Sequence, residues 1–496
     1  MLQLIAIVAL ALAAPATLLA QTPPIFRWAG DAEGGAPYVE ADPADPSRVV
    51  GFDVDVAELL ARGLGRQPRF IEVAFASIDQ SIARGDADIG LSGIEDTPAR
   101  RAAYAVTLPY YQFREVLSVR SADAGQLRTL RDLRGRRVGT LSGTIAYEIL
   151  LAAERDHGIV AVSYEDDVHP YSDLLIGRLD AVLLDNVLAE RRSRTTPGFV
   201  THPEPVAVSH YVGVLAPGNE ALRDRINGIL SEAMRDGRLE SIYKKWNIWN
   251  EDQPALFSRV LAGEPIPPVT GYVTDNIATL PKWDATRRYL PSLLRAATIT
   301  LMLSCGAMLL AVILGVGIAT GRVYGNRITQ LALTGYVEIM RGTPLLLQLF
   351  VLYYGIAAAI RLPAFVAALL GLALNYAAYE SEIYRGALLA VPVGQLEASR
   401  TLGLREFQTL RLVRGPQAFR IALAPMTNDF VALLKDSSLV SVLTVVELTK
   451  QTQIFATNLG SWVIPGAICA TLYLLMSLPL AALARALERR WRMQTA

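Results

Sequence analysis

A glycine-rich turn at residues 139–144 is the first place where this sequence could do chemistry. The turn joins a strand pattern to a helix pattern, so the amides of Gly143 and Thr144 lead into a helix N-terminus. Such an N-terminus attracts negative charge because its first amides have no partner within the helix. The turn by itself is a weak indication of an anion site.

Nucleotide and metal chemistry are not indicated. The phosphate-binding pattern G-x-x-x-x-G-K-[ST] occurs nowhere in the sequence. The nearest approach, Gly315, Gly317 and Gly321, lies in an apolar run where glycines favour close helix packing. The four histidines are scattered, and the two cysteines lie in apolar runs. We therefore predict no metal and no cofactor in this chain.

Two carboxylates are open to more than one interpretation. Asp185 comes directly after a buried strand pattern, so it could cap the following helix or bind a ligand. Glu95 lies in a polar loop and is the one arguable catalytic acid or base for an enzyme.

An arginine-rich stretch, residues 395–417, lies between very apolar segments. Its apolar residues recur every third position from Leu404 to Val413, and Gly403 can adopt the positive φ that ends a helix. We predict two helices joined at Gly403. Composition alone leaves two settings open, a surface on anionic lipid or an interface with another protein.

The elements that must position these residues fall into two halves. The chain has 496 residues, and 52% are hydrophobic. Residues 1–289 hold 30 Lys and Arg against 38 Asp and Glu, whereas residues 290–496 hold 17 against 9. The net charge of zero thus hides an acidic half and a basic, apolar half. This split predicts a soluble domain followed by a membrane domain, and it does not favour nucleic-acid binding.

The N-terminal segment and the second half carry membrane signals. Residues 1–21 are uncharged and predict a signal peptide or an N-terminal anchor. Five apolar segments are long enough to be candidate spans: 293–319, 328–357, 363–379, 423–446 and 462–484. Lys and Arg concentrate on one side of these spans, which places residues 22–289 outside and the C-terminus in the cytoplasm.

The first half alternates strand and helix patterns over residues 25–250, which predicts an α/β domain. We assign 22–250 to this domain, 251–289 to a linker, 290–490 to the membrane domain and 491–496 to a tail. The run EPIPP in the linker favours extended backbone that keeps the domains apart.

The first half resembles the periplasmic amino acid-binding proteins. The likeness rests on the ordered motifs GFD, SG-x-x-x-TP-x-R, GT-x-x-GT and GR-x-DA-x-x-x-D. It implies an α/β two-lobe periplasmic-binding-protein fold of type II, with a cleft between lobes joined by a two-strand hinge. Position by position, it implies that Arg100, from the first lobe, holds the ligand carboxylate and Asp185, from the second, its ammonium.

The same resemblance implies further ligand contacts from these residues: Ser92, Gly93, Thr144, Phe75, Glu95 and Asp31. Two positions depart from the family pattern. The early aromatic falls at Gly35, with Tyr38 or Trp28 as substitutes, and the usual loop hydroxyl is replaced by Glu95. We expect Glu95 to favour a ligand with a cationic side chain unless Arg100 pairs with it.

The second half resembles the permeases of ABC importers for polar amino acids. The stretch 395–417 is similar to their EAA loop, at Glu397, Ala398, Gly403 and Pro416, with Ser399 and Gly415 as departures. The resemblance implies an all-α polytopic membrane domain in the bacterial inner membrane. It also implies that the loop docks a separate cytoplasmic ATPase dimer, which would bind ATP and magnesium.

Together the resemblances imply a non-enzymatic subunit that captures an amino acid outside and passes it inward, with two copies of this chain paired in the membrane. A ligand-gated channel is one alternative, but such channels insert the pore within the binding domain, and here every span follows it. An enzyme on the binding-protein fold is another, and it would leave the 395–417 stretch unexplained.

Overall fold

The computed structural model describes most of the chain in seven stretches: 24–32, 37–42, 44–271, 282–356, 360, 362–459 and 461–492. The predicted signal peptide or anchor at 1–21, Gly35 and the linker residues 272–281 lie outside the described residues. The chain forms two compact units, with these segments: 1–94, 104–110 and 212–265 in the first, and 95–103, 111–211 and 266–496 in the second.

The elements of the described residues are numbered in chain order. The strands are β1 (Ile25–Gly30), β2 (Glu40–Asp42), β3 (Asp45–Val50), β4 (Gln67–Glu72), β5 (Ile89–Gly90), β6 (Ala105–Val106), β7 (Tyr111–Arg120), β8 (Arg137–Leu141), β9 (Val160–Tyr164), β10 (Ala181–Asp185), β11 (Phe199–Thr201), β12 (Ala207–Tyr211), β13 (Val214–Leu215) and β14 (Val269–Gly271). The helices before residue 282 are α1 (Phe52–Leu64), α2 (Ile78–Arg84), α3 (Pro98–Ala103), α4 (Ile145–His157), α5 (Val168–Leu175), α6 (Asn186–Thr195), α7 (Glu220–Arg235), α8 (Arg238–Lys245) and α9 (Asp252–Leu261). The helices after residue 281 are α10 (Lys282–Tyr324), α11 (Arg327–Gly342), α12 (Leu345–Phe350), α13 (Ala364–Ala390), α14 (Val393–Thr401), α15 (Glu406–Thr409), α16 (Gly415–Asp436), α17 (Leu448–Leu459) and α18 (Val463–Arg492).

The first unit is built on a five-stranded sheet in the order β4-β1-β5-β13-β6. Strand β1 runs parallel to β4 and β5, and β13 runs antiparallel to β5 and β6. The sequence of helix α1 explains where this helix begins and ends. It has Asp53 and Asp55 in its first turn, where the helix dipole favours acids, and it ends at Gly65 with φ 66°.

The second unit contains a sheet in the order β14-β12-β7-β10-β8-β9, with β11 also paired to β7. Strand β10 is buried along its whole length, and its sequence, AVLLD, is apolar up to its last residue. Strand β10 pairs antiparallel with β7 and parallel with β8. Its last residue, Asp185, therefore lies at the C-terminal end of this inner strand, directly before α6 begins.

The same unit continues into helices, and the predicted order of an α/β half followed by an all-helical half is confirmed within the described residues. Helices α10 and α13 make the most extensive contact in this half. Its main core is apolar side chains from α10, α13 and their neighbours, among them Leu303, Ala307, Leu349 and Leu372.

Three helices among the described residues are long and apolar enough to cross a membrane: Tyr289–Tyr324, Ala364–Ala390 and Val463–Ala482. They correspond to three of the five candidate spans, and the segments 328–357 and 423–446 are not among them. The segment 328–357 is broken between α11 and α12 because Pro344 cannot donate a helical amide bond. The segment 423–446 gives up its α-helical pattern after Asp436 and continues as a 3-10 turn at Ser437–Leu443.

The segment expected to be an extended linker is structured on the side nearest the first half. Residues Asp252–Leu261 form α9, and Val269–Gly271 form β14, which pairs antiparallel with β12. The carbonyl of Pro268 accepts a hydrogen bond from the Ser209 hydroxyl at 2.8 Å. The EPIPP run is thus followed at once by a strand of the sheet.

Candidate functional site

Four of the predicted ligand residues belong to the first unit and lie close together. The amide of Asp31 donates to Ser92 Oγ at 3.2 Å, and the amide of Phe75 donates to Asp31 Oδ2 at 2.7 Å. Ser92 has φ 139°, which is rare for a residue with a side chain, and Gly93 follows it with φ 63°. This corner of the fold therefore holds a strained backbone next to polar groups.

Asp53 supports this corner and was missed as a functional residue, although it is the acid of the GFD motif. Its carboxylate accepts bonds from the Gly93 amide at 2.7 Å and the Tyr110 hydroxyl at 2.9 Å. Burial raises the pKa of Asp53 to about 7. A Cβ on Gly93 would lie 2.6 Å from the ring of Tyr38, so this glycine packs directly against one of the two aromatics considered as substitutes.

The glycine-rich turn of the second unit does lead into a helix N-terminus. Thr144 caps α4, accepting from the Tyr147 amide at 3.3 Å and donating to the Leu141 carbonyl at 2.8 Å. The predicted anion site at this N-terminus contains a side chain of the chain itself. Glu95 Oε2 accepts a hydrogen bond from the Ile145 amide at 2.7 Å.

The loop with Arg100, which was expected in the first lobe, groups by its contacts with the second unit, and that unit also holds Asp185 and the helical half. Backbone contacts explain the grouping, because the Asp96 amide donates to the His210 carbonyl at 2.8 Å. Arg100 donates from Nη1 to the Glu95 carbonyl at 2.8 Å. Its neighbour Arg101 is locally paired, through Nε to Asp96 Oδ1 at 2.7 Å.

Asp185 fits the first of its two interpretations. Its Oδ1 caps α6 by accepting from the Leu188 amide at 2.9 Å. A cap uses one carboxylate oxygen for one amide, so this role does not exclude a ligand. Directly across the antiparallel β10–β7 pair from Asp185 lies Glu115, a fully buried acid that the sequence analysis missed.

Burial, and to a lesser extent neighbouring charge, disfavours the ionised form of these acids. Burial raises the pKa of Glu95 to about 8, against the opposing effect of Arg100, and the charges of Asp185 and Glu148 add to the rise. Burial, followed by the charges of Glu95 and Asp185, raises the pKa of Glu115 well above its usual value. The region around the start of α4 therefore holds several carboxyl groups that are difficult to ionise.

A cavity of about 530 Å³ lies within the helical half. Its lining includes charged and polar side chains from α11, α13 and α16: Arg341, Asn375, Tyr379, Asp429 and Asp436. The guanidinium of Arg341 lies 5.4 Å from the Tyr379 ring centre, and Tyr376 donates to Asp436 Oδ2 at 2.7 Å. The sequence carried one signal for this cavity, since charges inside apolar segments indicate a protein-lined or watery path.

The stretch 395–417 forms the predicted pair of helices, α14 and α15, with Gly403 between them at φ 78°. The Leu404 amide donates to the Ser399 carbonyl at 3.1 Å, and the Gly403 amide donates to the Arg400 carbonyl at 2.9 Å. Glu397 and Ala398 are exposed on α14, and Pro416 lies in the first turn of α16. The helical register after α15 is interrupted by a π turn at Leu410–Arg414.

Among the described residues, no group of three or more His, Cys, Asp or Glu side chains could hold a metal ion.

Two family profiles match the chain in succession. Bacterial extracellular solute-binding proteins, family 3, match residues 32–248. The binding-protein-dependent transport system inner membrane component matches residues 289–493. The glutamine transport system permease protein GlnP of Escherichia coli (strain K12) is 35% identical over 214 residues, which are 42% of this chain and 97% of that protein. The chain belongs to the family of binding-protein-dependent inner membrane transport components.

Other members of this permease family are also similar to the second half. The L-cystine transport system permease protein TcyB of Bacillus subtilis (strain 168) is 35% identical over 218 residues, 43% of this chain and 93% of that protein. The nopaline transport system permease protein NocM of Agrobacterium fabrum (strain C58 / ATCC 33970) is 40% identical over 171 residues, 32% of this chain and 70% of that protein.

Solved structures similar to this permease family member cover less than half of it. An ancestral arginine-binding protein bound to arginine is 26% identical and covers 46% of this chain and 99% of its own, with a TM-score of 0.41. An amino acid ABC transporter with histidines is 34% identical and covers 43% of this chain and 100% of its own, with a TM-score of 0.40.

In this member of the permease family, the second unit joins part of the binding half to the permease half. Lys450, at the start of α17, is fully buried and pairs with Glu165. A second contact is aromatic: Arg178 lies 4.0 Å from the ring centre of Tyr353, and the Tyr353 hydroxyl donates to Asp173 Oδ2 at 3.1 Å. Both contacts come from the half of the α/β domain that carries Thr144, Glu115 and Asp185.

Proposed function

We propose that this chain is the receptor and translocation subunit of an ATP-driven amino acid importer. The observation that carries the proposal is the succession of a solute-binding region and an inner membrane transport component in one chain. The relatives named above serve transport systems for glutamine, cystine and nopaline, which are all amino acids or carry amino acid groups. The amino acid class is therefore the substrate we infer.

We infer that the external ligand is held by its two charged groups. Arg100 would grip the α-carboxylate, since its planar fork suits bidentate bonds, and Asp185 would take the α-ammonium. Ser92, Gly93 and Thr144 would add hydrogen bonds. The remaining predicted contacts come from an apolar ring and two acids: Phe75, Asp31 and Glu95.

The cavity in the permease half supports a second binding site for the same ligand, which the ligand would occupy during transport inward. A zwitterion needs one cationic and one anionic partner, and Arg341 and Asp429 supply both at one cavity. Replacing Asp429 with Asn is expected to reduce uptake while external binding is unchanged. The control is Glu204→Gln, on an exposed residue of the binding half.

We infer that a separate ATPase docks on the stretch 395–417. Large apolar side chains are exposed along it, with Leu402, Phe407 and Leu412 showing 81%, 70% and 62% of their surface. Exposed apolar side chains of this kind are typical of a contact with another protein. The family likeness further supports an inner membrane location, an external binding half and pairing of two copies of this chain.

The decisive experiment uses the full chain in lipid nanodiscs and the ATPase encoded with it. Binding of an amino acid is expected to stimulate ATP hydrolysis, and the matching methyl ester and N-acetyl derivatives, each lacking one charge, are expected to bind poorly. The proposal fails if no amino acid binds or if a bound amino acid leaves hydrolysis unchanged.

A further inference from the structure

The second unit places more acids than bases around the start of α4. Glu95, Glu115, Glu148 and Asp185 are coupled there by charge, and Arg100 is the cation that acts on Glu95 and Glu148. Among the described residues, Arg100 opposes the pKa rise of Glu95 and Glu148, and no cation opposes that of Glu115. The excess must be met by bound protons or by positive charge from a ligand.

The β7–β10 pairing fixes two of these acids opposite each other. Glu115 and Asp185 are direct partners in the antiparallel register, so their side chains share one face of the sheet. Like charges in such a pair destabilise the sheet unless something neutral or positive separates them. Burying two acids side by side costs free energy, which would not be expected if these residues served packing alone.

Glu115 also has an unsatisfied atom. It is 1% exposed, and its Oε2 has no hydrogen-bond partner among the described residues. A buried carboxylate oxygen without a donor costs free energy, so natural structures seldom keep one without a use. A ligand donor would satisfy this oxygen.

The N-terminus of α4 does not offer its first amides to an anionic ligand. The Ile145 amide already donates to Glu95, and the next amide, that of Ala146, donates to Glu115. The chain's own acids therefore occupy the first amides of α4. Negative charge from a ligand would find less attraction here than a bare helix N-terminus would give it.

We propose that the bound amino acid carries a positively charged side chain, a guanidinium or an ammonium group, and that Glu115 receives it while Asp185 takes the α-ammonium. This inference rests on the proposed function of the same site. A neutral amide side chain leaves the excess acids to be neutralised by protons. A carboxylate side chain adds one more like charge to the cluster.

The first test measures affinities by calorimetry on the full chain in nanodiscs, with arginine, lysine, glutamine and glutamate as ligands. Arginine or lysine is expected to bind at least about tenfold more tightly than glutamine, and glutamate more weakly still, since a hydrogen bond to a charged group contributes about 1.5–3 kcal/mol. Glu115→Gln is expected to lower arginine affinity about 10- to 100-fold and glutamine affinity by less than about threefold.

The second test counts protons. Burial and neighbouring charge raise the pKa values of both Glu95 and Glu115. A cation that enters between Glu95, Glu115, Glu148 and Asp185, opposite Arg100, should drive protons off these acids. Binding enthalpies of arginine in two buffers of different ionisation enthalpy are therefore expected to differ at pH 7.5, and to differ less in Glu115→Gln. Glutamine is expected to show little difference.

Control measurements separate the preference for a cationic side chain from the broader proposal of an amino acid importer. Glu204→Gln removes an exposed acid of the same half and is expected to leave every affinity unchanged, and thermal unfolding checks that Glu115→Gln is folded. Glutamine or glutamate binding as tightly as arginine, or arginine affinity unchanged in Glu115→Gln, overturns the inference but leaves the amino acid importer standing. Absence of binding by all four ligands overturns both.

Discussion

Ser142 Oγ lies 3.4 Å from Lys450 Nζ, so a hydroxyl of the glycine-rich turn touches the permease half. Ser142 also donates to Glu165, the ion-pair partner of Lys450. The residue two positions further along is Thr144, the cap of α4 and a predicted ligand contact. A movement of this turn on ligand binding would therefore reach Lys450 through one hydrogen bond.

Reversing the charge at Lys450 should disrupt this contact. Lys450→Glu places a second carboxylate beside Glu165 in a site where residue 450 is fully buried, which typically costs several kcal/mol. We expect a lower thermal midpoint of the full chain and weaker ligand-stimulated ATP hydrolysis. The swap Lys450→Glu with Glu165→Lys should recover much of both. No recovery in the swap, with Lys450→Glu and Glu165→Lys each harmful alone, would argue against a direct pair.

Replacing Gly403 tests the proposed ATPase contact. Gly403→Pro forces φ from 78° to about −65°, so the turn between α14 and α15 cannot form. Ligand-stimulated ATP hydrolysis should be lost while external ligand affinity stays within about threefold, a change of under 1 kcal/mol. Gly394→Ala, in the first turn of α14 with no atom within 4 Å of the new Cβ, is the matched control. Normal stimulation in an inserted Gly403→Pro chain would exclude this docking surface.

Asp185→Asn separates the cap from the ligand contact. Asparagine caps helices about as well as aspartate, so the thermal midpoint should change little. The variant leaves the ligand's buried ammonium without its negative partner, which should cost about 3–5 kcal/mol of binding free energy, on the order of a hundred- to several-thousand-fold in affinity. Calorimetry on the full chain measures this. Near-normal affinity would mean that Asp185 is only a helix cap.

Arg100→Lys should fail nearly as badly as Arg100→Ala. A lysine keeps the charge but cannot offer the two parallel donors that grip a carboxylate. The affinities of the two variants for one amino acid, measured side by side, give the comparison. If the lysine variant binds like the natural chain, a point charge is enough and the bidentate grip is wrong.

Glu95 should make stability depend on pH. Its pKa is about 8 in the fold and near 4.5 when unfolded, so the folded chain holds more protons between these values. Its contribution to stability is therefore fully present below pH 4.5 and is lost as pH rises through 8, by up to about 1.4 kcal/mol per pH unit. Thermal midpoints of Glu95→Gln from pH 5 to 8.5 should fall less steeply than those of the natural chain. Glu204→Gln, as the control, should keep the natural slope.

Local chemistry was readable from the sequence, and long-range register was not. Gly403 could be assigned to a turn because glycine tolerates positive φ and apolar residues flank it at helical spacing. Glu115 looked like any polar residue in a strand, because its importance depends on pairing with Asp185, seventy residues away. Two of the five candidate spans are interrupted, 328–357 at Pro344 between α11 and α12 and 423–446 after Asp436, because hydropathy alone does not say where a helix ends.

Strand β14 has a consequence for the solubility of the binding half. It covers the outer edge of β12, where Ala207 pairs with Gly271 on one side and with Glu115 on the other. A chain cut before residue 266 would leave β12 as a bare edge, open to pairing with the same edge of another molecule. The stretch that leads toward the permease half thus also shields the receptor sheet from edge-to-edge aggregation.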